Sequence, residues 1–311
     1  MTTARAEVGL VSTARRAIVE VRSGPLLGAK AIIAPGEKLR IGRTERAHLV
    51  VPRDGQMSGL HCEIAWDGKV CTLRDEKSAR GTLLGGELIA GSASVPHGGW
   101  IQAGETHLSV YFEAHTAARE AEPQSDEVAA SVPGARERLG REMGRLYAVL
   151  DAARDDRVLE LLRESVDAHR SLYEGIKGEA MADVAPYLVS FRRDSGLLGR
   201  LIEEGWGRSF GVFLVSRLPF KNVRRHFRRF LIVEEDDSFA RMYFRFYDPR
   251  VLRDFLPMAT VRQKDELFDG IDAYLLEGER GEVLSFEAPA PGARASSTGE
   301  SAGESHAQDP G

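Results

Sequence analysis

Between Ala17 and Glu113 the apolar positions come in short extended runs, broken at close spacing by Gly, Pro and Asp. No stretch there keeps a 3.6-residue period, so the pattern predicts an all-β sandwich. The clearest unit is Cys62–Leu73, where Cys62, Ile64 and Trp66 alternate with polar neighbours before Asp67-Gly68 and Cys71 and Leu73 follow. Asp-Gly favours a two-residue hairpin turn, because both central positions need positive φ. In that register the two cysteines share a face with Ile64, Trp66 and Leu73 and read as small core residues.

Residues 114–143 lose this pattern. Their charged, Ala- and Pro-containing sequence predicts a flexible linker with transient helix, and a domain boundary. Beyond it strand and helix signals mix. Leu146–Leu150 reads as a strand. Arg157–Arg170 reads as a helix capped by Asp155, with Val158, Leu161, Leu162 and Val166 opposite Glu160, Arg163, Glu164 and Asp167. Strands at Tyr187–Phe191 and Gly211–Val215 flank a helix over Leu197–Glu204 that stops at Gly205, and Trp206 reads as a core anchor. Arg241–Phe246 partly alternates as a strand. Asp248 and Pro249 then suit the cap and first position of a short helix carrying Val251, Leu252 and Phe255, which Pro257 ends. From about Ala288 the chain is rich in Pro, Gly, Ser and Ala, which predicts a disordered tail over 288–311.

The expected fold is therefore multi-domain, a β-sandwich followed by a mixed α/β domain, and 311 residues suffice for two cores. With 42 basic and 47 acidic residues the formal charge is −5, so no global field favours nucleic acid or an anionic membrane. The N-terminus lacks the apolar core of a signal peptide and no run approaches the length of a membrane helix, so a cytoplasmic location is expected. Two cysteines provide no disulfide framework. The eight histidines are scattered, and neither a phosphate-cradling Gly-rich loop nor a His-x-x-x-His pair occurs. The expectation is a binding protein, not an enzyme, without cofactor or metal.

Two resemblances sharpen this. Ile41-Gly-Arg43, Ser58-Gly-Leu-His61, Asp75–Thr82 and Gly85-Gly86, in this order, resemble the forkhead-associated (FHA) domain over roughly 17–113, a β-sandwich whose loops bind phosphothreonine peptides. Further on, Leu146–Ala153, Leu172-Tyr-Glu-Gly175, Glu204-Gly-Trp-Gly207, Gly211–Ser216, Arg224–Glu234 and Phe244–Arg253 resemble the Tap-type adaptor (chaperone) domain of bacterial type VI secretion, over roughly 144–287. That resemblance implies a cytoplasmic adaptor that holds a toxin effector and helps load it onto the VgrG-type spike protein. The alternative is a regulator acting through phosphothreonine recognition by the FHA-like module. A third reading makes the sandwich a phosphate-independent docking surface.

A phosphothreonine pocket needs a fixed guanidinium with hydroxyl or amide donors on rigid loops. By resemblance Arg43 supplies the guanidinium, Ser58 the hydroxyl, and His61 braces the loop beneath them. The chain departs from the family at Gly59, where Asn is usual, and at Ala79-Arg80, where a Thr-Asn pair is usual. Arg80 cannot accept hydrogen bonds, yet it adds a second positive charge. The pocket is thus either retuned or without phosphate affinity. Lys221–Arg229 is the basic cluster. As a helix it buries Phe220, Val223 and Phe227 and pairs Arg224 with Arg228 and Arg225 with Arg229. These arginines are a solvated or internally paired face, or a contact for an acidic protein partner. Nucleic acid fits poorly, since Glu234-Glu-Asp-Asp237 follows at once.

Overall fold

The computed structural model describes residues 15–119, 125–231, 233–234, 241–242 and 244–289. Eleven strands build the N-terminal half: β1 (Ala17–Ser23), β2 (Lys30–Ile33), β3 (Lys38–Gly42), β4 (Leu49–Val50), β5 (Cys62–Trp66), β6 (Cys71–Asp75), β7 (Thr82–Leu84), β8 (Glu87–Leu88), β9 (Ser92–Val95), β10 (Gly99–Ala103) and β11 (Thr106–Phe112). They form two sheets, ordered β2-β1-β11-β10-β7-β8 and β4-β3-β5-β6-β9. Alternation decides which side chains face inward: Cys62, Ile64 and Trp66 from β5 and Cys71 and Leu73 from β6 meet Val19, Ile101 and Leu108 in one apolar core. Both cysteines are free and buried, and burial pushes each thiol up to about 12.

The β5–β6 hairpin keeps the expected faces but not the expected turn. Trp66 pairs with Cys71, leaving four loop residues, and the Asp67 carboxylate accepts from the N–H groups of Lys69 and Val70, both at 2.7 Å. This side-chain bonding makes a longer turn as good as the two-residue one.

The C-terminal half contains α1 (Asp126–Gly140), β12 (Leu146–Asp151), α2 (Asp156–Arg163), β13 (Ala168–Ser171), α3 (Gly175–Ala180), β14 (Pro186–Ser190), α4 (Leu197–Gly205), β15 (Gly211–Val215), α5 (Phe220–Arg228), β16 (Val233–Glu234), β17 (Arg241–Met242), α6 (Pro249–Met258), α7 (Val261–Leu267), β18 (Ala273–Glu277) and β19 (Val283–Glu287). Six strands form one sheet, β13-β14-β12-β15-β18-β19, antiparallel throughout. Apolar side chains cover both its faces. One layer holds α1, α2, α4, Trp206 and Phe210; the other holds Val223 and Phe227 of α5, Phe246, and Leu252 and Leu256 of α6. Every residue of β12 is consequently buried.

Several expectations change here. Within 114–143, expected as linker, residues 126–140 are helix, and Val128, Ala135 and Leu139 enter the core with Val132 packed against them. The spacing 128, 132, 135, 139 is a helical stripe, sparse enough to be hidden among charges. The helix expected over 157–170 ends at Arg163. There the Ser165 hydroxyl takes the Asp167 N–H at 2.9 Å, and Ala168–Ser171 pairs with β14 instead. The strand expected over 241–246 is reduced to Arg241–Met242. Phe246 and Tyr247, both buried, lie outside it, and Phe246 stacks on Phe227 with ring centroids 5.1 Å apart. Asp248 caps α6 and Pro249 starts it, but the helix runs one residue past Pro257. Apart from Ala288 and Pro289, the tail expected as disordered lies outside the described residues.

The two halves touch. Lys30 of β2 sends its ammonium to the carbonyls of Leu162, Ser165 and Asp167 at 3.0, 2.5 and 3.3 Å, closing the C-terminal end of α2. Arg16 bridges Glu113 at 2.7 Å and Asp194 at 2.6 Å.

Candidate functional site

Three loops converge at one end of the sandwich: β3–β4 with Arg43, β4–β5 with Ser58, and β6–β7 with Ala79 and Arg80. Backbone bonds hold the first two, Arg43 N–H donating to Ser58 O at 3.0 Å and Thr44 N–H to Gly59 O at 3.1 Å. A Cβ on Gly42 would lie 2.3 Å from Gly59 O, so only glycine permits this approach. The third loop is tied in by Ala79 N–H donating to Ser58 Oγ at 3.0 Å. That contact uses the hydroxyl as acceptor and leaves its proton for a ligand.

His61 is fully buried beneath these loops. Its Nδ1 accepts from Ser58 N–H at 3.0 Å and its Nε2 faces Gly81 O at 3.1 Å. An accepting Nδ1 and a carbonyl at Nε2 require the neutral Nε2–H tautomer, so one ring joins two loops. Asp75 anchors the β6–β7 loop from its other end, accepting from Ser78 Oγ at 2.6 Å and Thr82 Oγ1 at 2.7 Å. Burial opposes ionisation of Asp75, but these bonds hold it below the usual carboxylate range.

Arg43 is exposed and spends only Nε, on Met57 O at 3.2 Å; its two terminal nitrogens have no partner among the described residues. Arg80 is exposed too and borders a shallow hollow with Gly81, Leu83, Gln102 and Gly104. The structure thus brings Arg43 and Ser58 together on braced loops, and Arg80 follows Ala79, whose N–H bonds Ser58 Oγ. Gly59 and Ala79 contribute backbone only.

The arginines of α5 are largely engaged inside the molecule. Arg224 donates to Ser171 O at 2.7 Å and to Glu174 at 2.6 Å; Arg228 reaches Glu174 at 2.6 Å and Leu172 O at 3.2 Å. Arg229 meets Asp269 at 3.3 Å and His226 Nδ1 at 3.0 Å. Arg225 is exposed and has no partner among the described residues. Hydrogen bonding from Arg224, with the charges of Arg228 and Arg170, holds Glu174 below the usual range. One carboxylate among three guanidiniums leaves local positive charge.

The motif residues of this half mostly support the core. Trp206 is buried and donates Nε1–H to Gly281 O at 2.7 Å. Glu204 accepts from the fully buried Arg157 at 2.6 Å and from Arg200 at 2.9 Å; burial alone would raise its pKa, but the two guanidiniums hold it below the usual range. Arg245 pairs with Asp151, and Gly205 admits the Phe210 ring, 2.2 Å from where a Cβ would stand. What the sequence reading missed is Arg157 and Lys30, whose partners lie far along the chain. Among the described residues no group of three or more His, Cys, Asp or Glu side chains is placed to hold a metal ion, and no helix is long and apolar enough to cross a membrane.

Comparison with known proteins agrees with this division. Residues 39–104 match the FHA domain, and residues 146–266 match the domain of unknown function DUF4123, the family of Tap-type adaptor domains. Both are binding or adaptor families and neither is enzymatic. Similar solved structures include the FHA domain of the CT664 protein from Chlamydia trachomatis, with 19% identity over 31% of this chain and 96% of that one and a TM-score of 0.29. A second is the FHA domain of a hypothetical protein from Arabidopsis thaliana, with 25% identity over 38% and 100% and a TM-score of 0.31. A third is Mycobacterium tuberculosis EmbR in complex with a low-affinity phosphopeptide, with 20% identity over 33% and 26% and a TM-score of 0.29. No curated protein matches the chain.

Proposed function

We propose that this chain is a cytoplasmic adaptor of a bacterial type VI secretion system, which binds a toxin effector and helps load it onto the VgrG-type spike. The observation that carries the reading is the match to the Tap-type adaptor family over residues 146–266, from β12 into α7, behind an FHA domain in the same chain. Action would be stoichiometric: the adaptor shields a surface of its cargo and raises the cargo's effective concentration at the spike through linked contacts. We further propose that the C-terminal module begins at or before α1, since Val128, Ala135 and Leu139 belong to its core. A fragment starting at residue 144 would lose them, so the test uses the full chain.

That test is co-purification of the full chain with the toxin and spike proteins encoded beside it. Retention of the toxin supports the reading. Loss of both toxin and spike, with the adaptor folded, refutes it.

A second reading is favoured by the loop geometry. Arg43 with two unengaged nitrogens, beside a Ser58 hydroxyl whose proton is unspent, supports phosphothreonine-dependent recognition by the FHA module, with Arg80 in place of a polar side chain. Charge-assisted hydrogen bonds of about 1.5–3 kcal/mol imply that Arg43→Ala weakens a phosphopeptide roughly ten- to hundredfold. Equal affinity of wild type for phosphorylated and unphosphorylated peptides would remove this reading and leave the loops as a phosphate-independent docking surface.

A further inference from the structure

The six-stranded sheet has two edges in unlike situations. At β13 the sandwich lies over the edge, with Lys30 on the carbonyls just before the strand and the Arg170 guanidinium packed on Gly28. At the other edge β19 is, among the described residues, hydrogen-bonded to β18 alone. Gly278 N–H donates to Glu282 O and Ala288 N–H to Asp272 O, with Leu276 opposite Leu284 and Tyr274 opposite Phe286 between them. Antiparallel alternation then turns the N–H and C=O groups of Val283, Ser285 and Glu287 outward. None of the described residues bonds to these outward groups.

Protected edges carry Lys, Pro or a bulge. Val283-Leu-Ser-Phe-Glu287 has none of these, and Val283, Leu284 and Phe286 are only half-buried. The strand is also complementary to itself. Antiparallel pairing about Ser285 sets Ser285 opposite Ser285, Leu284 opposite Phe286 twice, and Val283 opposite Glu287 twice. No like charges meet, and the apolar face that carries Leu284 and Phe286 continues across the junction. The sandwich sits at the far edge, about 24 Å away at the usual strand spacing, and leaves this approach open.

We propose that two copies of this chain associate through β19, paired antiparallel about Ser285, so that their sheets join into one with an FHA module at each end. Isologous pairing of this kind closes on itself and leaves no further edge to propagate.

Light scattering during size exclusion of the full chain over a micromolar concentration series tests this. Twice the chain mass of 34.2 kDa is expected for wild type. Ser285→Lys, at an exposed position, opposes two ammonium groups across the two-fold axis and should return the mass to 34.2 kDa with an unchanged circular dichroism spectrum. Ser285→Pro removes an outward N–H that the fold does not use and should do the same. The proposal is overturned if wild type stays at the single mass throughout, which would leave the edge for a strand of another protein. It is equally overturned if Ser285→Lys remains at twice the mass, which would place the dimer contact elsewhere.

Discussion

Replacing Lys30 by Met probes how firmly the two halves are held together. The ammonium makes three bonds to carbonyls of α2 and the turn after it, and its stem lies along the junction. At about 2 kcal/mol per charge-assisted bond, the gross contribution is about 6 kcal/mol. Against it stand desolvation and, less, the Arg22 charge, which outweigh the attraction of Glu20 and Asp167 and pull the Lys30 pKa from 10.5 down to about 8, a net cost of about 3 kcal/mol. At neutral pH the group is still an ammonium, so the net contribution is about 3 kcal/mol. Met retains the apolar stem and removes only the charge and the donors. Urea unfolding followed by tryptophan fluorescence separates the modules, because Trp66 and Trp100 lie in the sandwich and Trp206 in the C-terminal core. Wild type should unfold with both sets of probes coincident. Lys30→Met should lose about 3 kcal/mol of coupling, with the Trp206 and Trp66 transitions drawn apart. Lys38→Met, at a surface pair with Glu63, is the control and should change little. If Lys30→Met unfolds within about 0.5 kcal/mol of wild type with coincident probes, the bonds and the desolvation cancel and the reasoning fails.

His226 should make the protein acid-sensitive. Burial, then the nearby Arg229 charge, lowers its pKa to about 4, so between pH 6.5 and 4 the unfolded chain binds a proton the folded chain does not, and stability falls as pH falls through that window. The loss approaches about 3 kcal/mol at pH 4, and a His226→Gln variant should show a correspondingly shallower decline in urea midpoints between pH 7 and pH 4.5. Gly42→Ala should cost the sandwich about 1–3 kcal/mol, because the new methyl meets Gly59 O and forces the β3–β4 and β4–β5 loops apart. Thermal melts of the variant that match wild type would contradict that close approach.

Much of the local structure was legible because its causes are local. The alternation through Cys62, Ile64 and Trp66, the caps at Asp155 and Asp248, and the helix end at Gly205 each depend on a few adjacent side chains. The candidate loops were named through the resemblance, and the structure joins Arg43 N–H to Ser58 O and Ser58 N–H to His61 Nδ1. Where the reading missed, distant partners decided. Arg157 reads as a surface helix residue until Glu204, far along the chain, closes over it. The four arginines of α5 and its C-cap are indistinguishable in sequence, yet Glu174, Asp269 and nearby carbonyls engage three of them.

The sequence alone determined the two-module order and the faces of most strands and helices, because period, caps and turn chemistry act within a few positions. Tertiary structure decided that residues 126–140 complete a core, that Phe246 stacks on Phe227, that Lys30 joins the halves, and that β19 ends the six-stranded sheet. Burial and long-range pairing outweigh local preference at those places, since each one satisfies groups that no neighbour in sequence can reach.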